Sequence, residues 1–86
     1  MKGVKLRKSF IKSYNKLSLK NQEAWAKCLE LFLSLPNHPK LRRHELLGKY
    51  YGMESIDLAP DLRALFIEGQ DRYVFYYLKN HNQLYS

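Results

Sequence analysis

The spacing of hydrophobic positions divides this chain into a helical first half and a strand-rich second half. From Ser9 to Leu17, Phe10, Ile11, Tyr14 and Leu17 recur at i, i+1, i+4 and i+7, with Lys8, Lys12 and Lys16 on the other side. That spacing predicts an amphipathic helix. Ser18 is placed to cap a second helix by accepting a backbone N–H bond. In that helix Trp25, Cys28, Leu29 and Phe32 repeat at i, i+3, i+4 and i+7, and Leu31 and Leu35 widen the apolar stripe. Pro36, Asn37 and Pro39 end it, because proline lacks a donor and fixes φ. Two short helices joined by one tight turn predict an antiparallel helical hairpin. Val4 to Leu6, before them, reads as a short strand.

Beyond the prolines the period becomes two. Ile56 and Leu58 share one face of Glu54 to Leu58, and Ser55 and Asp57 share the other. Leu62 to Ile67 follows a turn at Ala59-Pro60-Asp61, with Leu62, Ala64 and Phe66 on one side. After Glu68-Gly69-Gln70-Asp71, Tyr73 to Lys79 is β-branched and aromatic. The fold class expected is α+β: one domain over residues 1–86, with a small antiparallel sheet of three or four strands and an N-terminal helical hairpin packed on one face. A three-residue loop at Ala59-Pro60-Asp61 would pair Leu58 with Leu62 and Asp57 with Arg63. Ser55, Asp57 and Arg63 then share the face away from the helices, which is expected to open to solvent. Arg63 reads there either as one half of a surface ion pair with Asp57 or as a bidentate phosphate ligand.

Composition narrows the class. Hydrophobic residues make up 45% of the chain, enough for a core in one domain. The single Cys28 excludes an internal disulfide and, lying on the helical apolar stripe, reads as core. The basic N-terminus has no apolar run behind it, and no segment approaches membrane-spanning length, so a soluble cytoplasmic protein without membrane association is expected. Net charge is +7, unevenly spread: residues 1–50 carry 12 basic and 3 acidic side chains, residues 51–86 carry 3 and 5. The positive field of the first half suits a phosphate backbone or an acidic partner protein, and otherwise makes a solvated lysine-rich surface.

The residues with chemistry are few. His38, His44, His81 and Cys28 lack zinc-ligand spacing and there is no Gly-rich phosphate loop, so no metal and no cofactor is expected. His44 in R-R-H and His81 in N-H-N read equally as solvated loop or turn residues and as acid–base groups, since imidazole titrates near neutrality. Asp61 reads as a turn residue or a catalytic carboxylate, and Tyr85 as packing or function.

The order of these pieces resembles the toxins of bacterial type II toxin–antitoxin modules, the RelE/ParE superfamily, in its YafQ-like (RelE/StbE) branch. The likeness runs from F-I-K-S-Y-N-K-L through P-N-H-P-K-L-R-R-H-E-L-L-G-K-Y-Y-G and S-I-D-L-A-P-D-L-R-A-L-F to K-N-H-N-Q-L-Y. It implies a RelE-like fold and endoribonuclease cleavage of mRNA in the ribosomal A site without a metal, the 2′-hydroxyl attacking its neighbouring phosphate. By position it implies His44 and His81 as proton-transfer groups, Arg63 as the cation on the phosphorane, and Asp61 and Tyr85 as further site residues. Lys40, Arg42, Arg43 and Lys49 become candidate RNA-binding cations, and a cognate antitoxin the partner. Asp57 departs from the pattern, standing where the family has histidine or lysine; it would orient Arg63 or act as a base. A gyrase-inhibiting ParE-like relative and an inactive RNA- or protein-binding relative are the alternatives.

Overall fold

Local chemistry sets the helix ends in the computed structural model, which describes residues 2–85, Tyr85 by its backbone alone. Ser18 Oγ accepts the Asn21 N–H at 3.2 Å and opens α2 (Leu19–Ser34). The preceding helix, α1 (Lys8–Tyr14), stops short of Leu17 because Lys16 and Leu17 donate to the carbonyls of Ser13 and Tyr14, tightening its last turn. α1 packs chiefly on one sheet strand and α2 on another, touching where Phe10 meets Trp25, ring centroids 4.8 Å apart. The expected helical hairpin is thus two helices laid separately on the sheet.

The sheet has five strands: β1 (Gly3–Leu6), β2 (His44–Glu45), β3 (Glu54–Ala59), β4 (Leu62–Glu68) and β5 (Arg72–Lys79), in the order β1-β5-β4-β3-β2. The expectation of three or four antiparallel strands is corrected twice. β1 runs parallel to β5, Gly3 opposite Arg72 and Leu6 opposite Phe75. β2 is a two-residue edge strand, His44 opposite Ser55, too short to carry a periodic signal.

Two irregularities decide which side chains share a face. Asp57 pairs with Arg63 as expected, but Ala59, not Leu58, pairs with Leu62, so Leu58 is bulged out and Pro60-Asp61 alone turns the chain. In β5, Leu65 pairs with Tyr77 while Phe66 pairs with Phe75, which leaves Tyr76 as the extra residue. The bulge puts Tyr73, Phe75 and Leu78 on the helix side and turns Tyr77 and Lys79 to the other.

The core under the helices is aromatic. Phe32 of α2 lies 4.5 Å from Tyr73 and 5.0 Å from Phe66, centroid to centroid, and is fully buried with Phe10, Phe66 and Phe75. Cys28 also belongs to this core. Its Sγ–H donates to the Asp57 carbonyl at 3.5 Å, and burial first, then the Asp57 charge, pushes the thiol up to about 12. About one thiol in ten thousand is therefore ionised at pH 8. Native protein is expected to resist iodoacetamide at pH 8 and to be alkylated promptly in denaturant, as read by mass spectrometry; rapid native labelling would contradict this burial.

The opposite face is not the open polar surface the alternation predicts. Ser55 and Leu65 are fully buried there and Leu46 nearly so. The segment after β2, with a 3₁₀ turn at Gly48–Tyr50, folds over this face, and Tyr50 meets Tyr77 edge-on at 5.7 Å. A short helix, α3 (His81–Tyr85), reaches the same region through Leu84, which with His44, Leu46, Leu47 and Tyr50 lines a recess of about 440 Å³. Among the described residues no helix is long and apolar enough to cross a membrane.

Candidate active site

The face opposite the helices carries two cross-strand rows. One holds Asp57 of β3, Arg63 of β4 and Lys79 of β5 in register. Arg42, just before β2, extends it, its Nε 3.8 Å from Asp57 Oδ2. The adjacent row is His44, Ser55, Leu65 and Tyr77. Facing residues within a row are about 5 Å apart at Cβ, and the rows lie about 7 Å apart along the strands. Two cations, Arg42 and Arg63, therefore flank one carboxylate, with Lys79 beyond Arg63 in the same row and the exposed His44 imidazole in the next. Strand pairing fixes the side-chain roots of Asp57, Arg63 and Lys79.

Asp57 does not saturate Arg63. Nε of Arg63 lies 3.3 Å from Asp57 Oδ1, an ion pair without hydrogen-bond geometry. Both side chains are largely buried, at 14% and 16% exposure. Arg63 Nη1, Asp57 Oδ1 and Ser55 Oγ are buried and make no hydrogen bond to the protein. A buried donor without an acceptor costs about 1–3 kcal/mol, and Arg63 carries one such donor at Nη1.

His44 is held by its backbone neighbour. Its Nδ1 lies 2.8 Å from the Arg42 carbonyl oxygen, and because a carbonyl only accepts, the contact is a hydrogen bond when the hydrogen is on Nδ1. After β5, Asn80 and Gln83 cap α3 reciprocally: Asn80 Oδ1 accepts the Gln83 N–H at 2.8 Å, and Gln83 Oε1 accepts the Asn80 N–H at 2.9 Å. Asp61, in the β3–β4 turn, accepts the His81 N–H at 2.9 Å. Through Oδ1, Asp61 thus positions the peptide of His81. Tyr85 ends α3, and its side chain lies outside the described residues.

The candidate RNA-binding cations separate. Lys40, Arg42 and Lys49 are exposed. Arg43, by contrast, is engaged within the fold. Its Nε and Nη2 donate to Glu54 at 2.8 and 2.9 Å, Nη2 also to Glu68 at 2.7 Å, and its guanidinium stacks over Phe66 and Phe32. The Glu54 hydrogen bonds raise its pKa further, against the cost of burial. Its charge is fully engaged at the helix side of the sheet.

Three residues missed from sequence join the site: Tyr50, Tyr77 and Lys79. Lys49 Nζ lies 5.6 Å from the Tyr50 ring, Tyr50 meets Tyr77, and Lys79 Nζ lies 5.2 Å from the Tyr77 ring. A pair of aromatic rings flanked by two cations suits a single nucleic-acid strand, whose bases stack while its phosphates pair. The Y-Y pairs in the sequence hinted at this, but strict alternation puts Tyr77 and Lys79 on the core side. Among the described residues no group of three His, Cys, Asp or Glu is placed to hold a metal ion.

No family model matches the chain, and no curated protein does. Solved structures do. YafQ from Escherichia coli superposes with a TM-score of 0.78 over 100% of both chains at 16% identity. YafQ in the E. coli DinJ–YafQ complex matches at 0.70, again over 100% of both chains at 16% identity. A YoeB/ParE toxin from Agrobacterium tumefaciens matches at 0.74 over 94% of this chain and 99% of its own, also at 16% identity. Along its whole length this chain has the fold of the YafQ and YoeB/ParE toxins.

Proposed function

We propose that this chain is the toxin of a type II toxin–antitoxin pair and an endoribonuclease that cleaves mRNA in the ribosomal A site. The observation that carries the reading is the row Arg42–Asp57–Arg63–Lys79 lying beside His44, with a buried Arg63 donor that no protein acceptor satisfies. The shared fold with YafQ and YoeB/ParE toxins supports it.

In the proposed reaction the 2′-oxygen of the substrate bonds to the adjacent phosphorus as the P–O5′ bond breaks, leaving a 2′,3′-cyclic phosphate and a 5′-hydroxyl. One proton leaves the 2′-hydroxyl and one is delivered to the 5′-oxygen. His44 and His81 divide these transfers. The phosphorane's extra negative charge falls to Arg63 and Lys79, with Asp57 keeping the guanidinium in the plane of the row. Lys49, Tyr50 and Tyr77 hold the flanking strand, and Asp61 fixes His81 through its peptide. YafQ is found bound to DinJ in a toxin–antitoxin complex. A cognate antitoxin is likewise proposed here, an acidic or amphipathic segment covering the basic surface.

Mapping transcript 5′ ends after induced expression tests this. New 5′-hydroxyl ends inside translated messages are expected with the wild type and are expected to vanish, with folding intact, in His81→Ala. Growth arrest by the wild type with every transcript intact would overturn the nuclease and favour gyrase inhibition or simple binding.

A further inference from the structure

Arg42 is the one non-glycine residue among the described residues with a positive φ, at 50° with ψ 43°. Side chains rarely adopt that conformation, and where they do the strain is held in place by its surroundings. Here it closes the 3₁₀ turn at Pro39–Leu41, the Arg42 N–H donating to the Pro39 carbonyl at 3.1 Å. The same twist turns the Arg42 carbonyl back onto the ring of the residue two positions on, 2.8 Å from His44 Nδ1. An extended residue leading into β2 would instead direct its carbonyl away along the sheet edge.

We propose that the left-handed Arg42 peptide is a positioning device: by accepting Nδ1–H it fixes His44 in the tautomer that bears a lone pair on Nε2, making His44 the base for the 2′-hydroxyl and leaving the acid role to His81. This rests on the nuclease reading for its chemical use, while the tautomer itself is a property of the free protein. The position acts through its backbone; its guanidinium, 75% exposed and 3.8 Å from Asp57, is a separate contribution to the ionic row. The two are separable by substitution. Arg42→Gly and Arg42→Val both delete the guanidinium, but only glycine accepts positive φ without strain, and a β-branched side chain there is an outlier.

The experiment pairs ring ¹⁵N chemical shifts of His44 with single-message cleavage in a reconstituted translation reaction. Wild type and Arg42→Gly are expected to carry the proton on Nδ1 with a bare Nε2, whereas Arg42→Val moves toward the opposite tautomer. Relative to Arg42→Gly, kcat in Arg42→Val is expected to fall on the order of 100-fold with KM unchanged, and Arg42→Asn, which tolerates the left-handed region, to behave as Arg42→Gly. A neutral wild-type ring protonated on Nε2, or equal losses in Arg42→Gly and Arg42→Val, overturns the proposal. Should Arg42→Val fail to fold, Arg42→Ala and the wild-type tautomer still decide. A wild type with the expected tautomer that cleaves no message overturns the nuclease reading, and with it the catalytic use of the device.

Discussion

Replacing Arg63 by alanine is expected to lower message cleavage by roughly 10²–10³-fold, the usual effect of removing one preorganised donor from a developing oxyanion. The expectation follows from where the guanidinium sits. Its root is fixed by pairing to Asp57 on one side and Lys79 on the other, and its surroundings leave it only 14% exposed. Water competes weakly at such a site, so each hydrogen bond to phosphate counts for more than on an open surface. Arg63→Lys is expected to recover little, because an ammonium keeps the charge but loses the planar fork that meets two phosphate oxygens at once. Initial rates on a defined message, with circular dichroism to confirm folding, provide the check. An Arg63→Ala variant that cleaves within threefold of wild type would remove the charged row from the chemistry.

The second large effect concerns stability. Phe32→Ala is expected to cost about 3–5 kcal/mol, read as a fall in the urea midpoint at constant m. Phe32 is fully buried and sits at the centre of the aromatic cluster, against Phe66, Tyr73 and Phe75, so its loss opens a cavity that rigid strands cannot close. It also removes one of the two rings under Arg43, whose guanidinium holds Glu54 and Glu68 together across the end of β3 and β4. A domain of this size has about 5–15 kcal/mol to lose, so the variant gives up a large share of its stability. Leu47→Ala is the control: at 82% exposure it should shift the midpoint little. If the two variants unfold together, α2 is not anchored through Phe32.

Part of the candidate site was readable from the chain. The pairing of Asp57 with Arg63 followed from one hairpin whose turn is marked by proline and aspartate, and local chemistry suffices for that. It survived an error in the loop, because the bulge at Leu58 absorbed the extra residue on the turn side of the pair. Ser55, Asp57 and Arg63 do share one face, but Ser55 was expected to be open to solvent and is sealed. The cover over it, residues 46–53 and α3, has no periodicity of its own. The engagement of Arg43 was not legible for a related reason: its partners Glu54 and Glu68 lie 11 and 25 positions away, and nothing in R-R-H separates an engaged arginine from a free one.

Local sequence was enough for α1, α2, four of the five strands and the polarity of the hairpin at Pro60, because capping, proline and apolar spacing act over a few residues. Tertiary structure alone decided the parallel seat of β1, the edge pairing that brings His44 beside Ser55, and the face on which β5 offers its cation. The last shows the physical reason best. Strict alternation from Phe75 would point Tyr77 and Lys79 into the core, and the single unpaired residue Tyr76 reverses them. The bulge lets Phe75 pack under Phe10, Trp25 and Phe32 while Leu78, opposite Ala64, is buried in the same core. Such a balance is struck only between strands and helices already in contact.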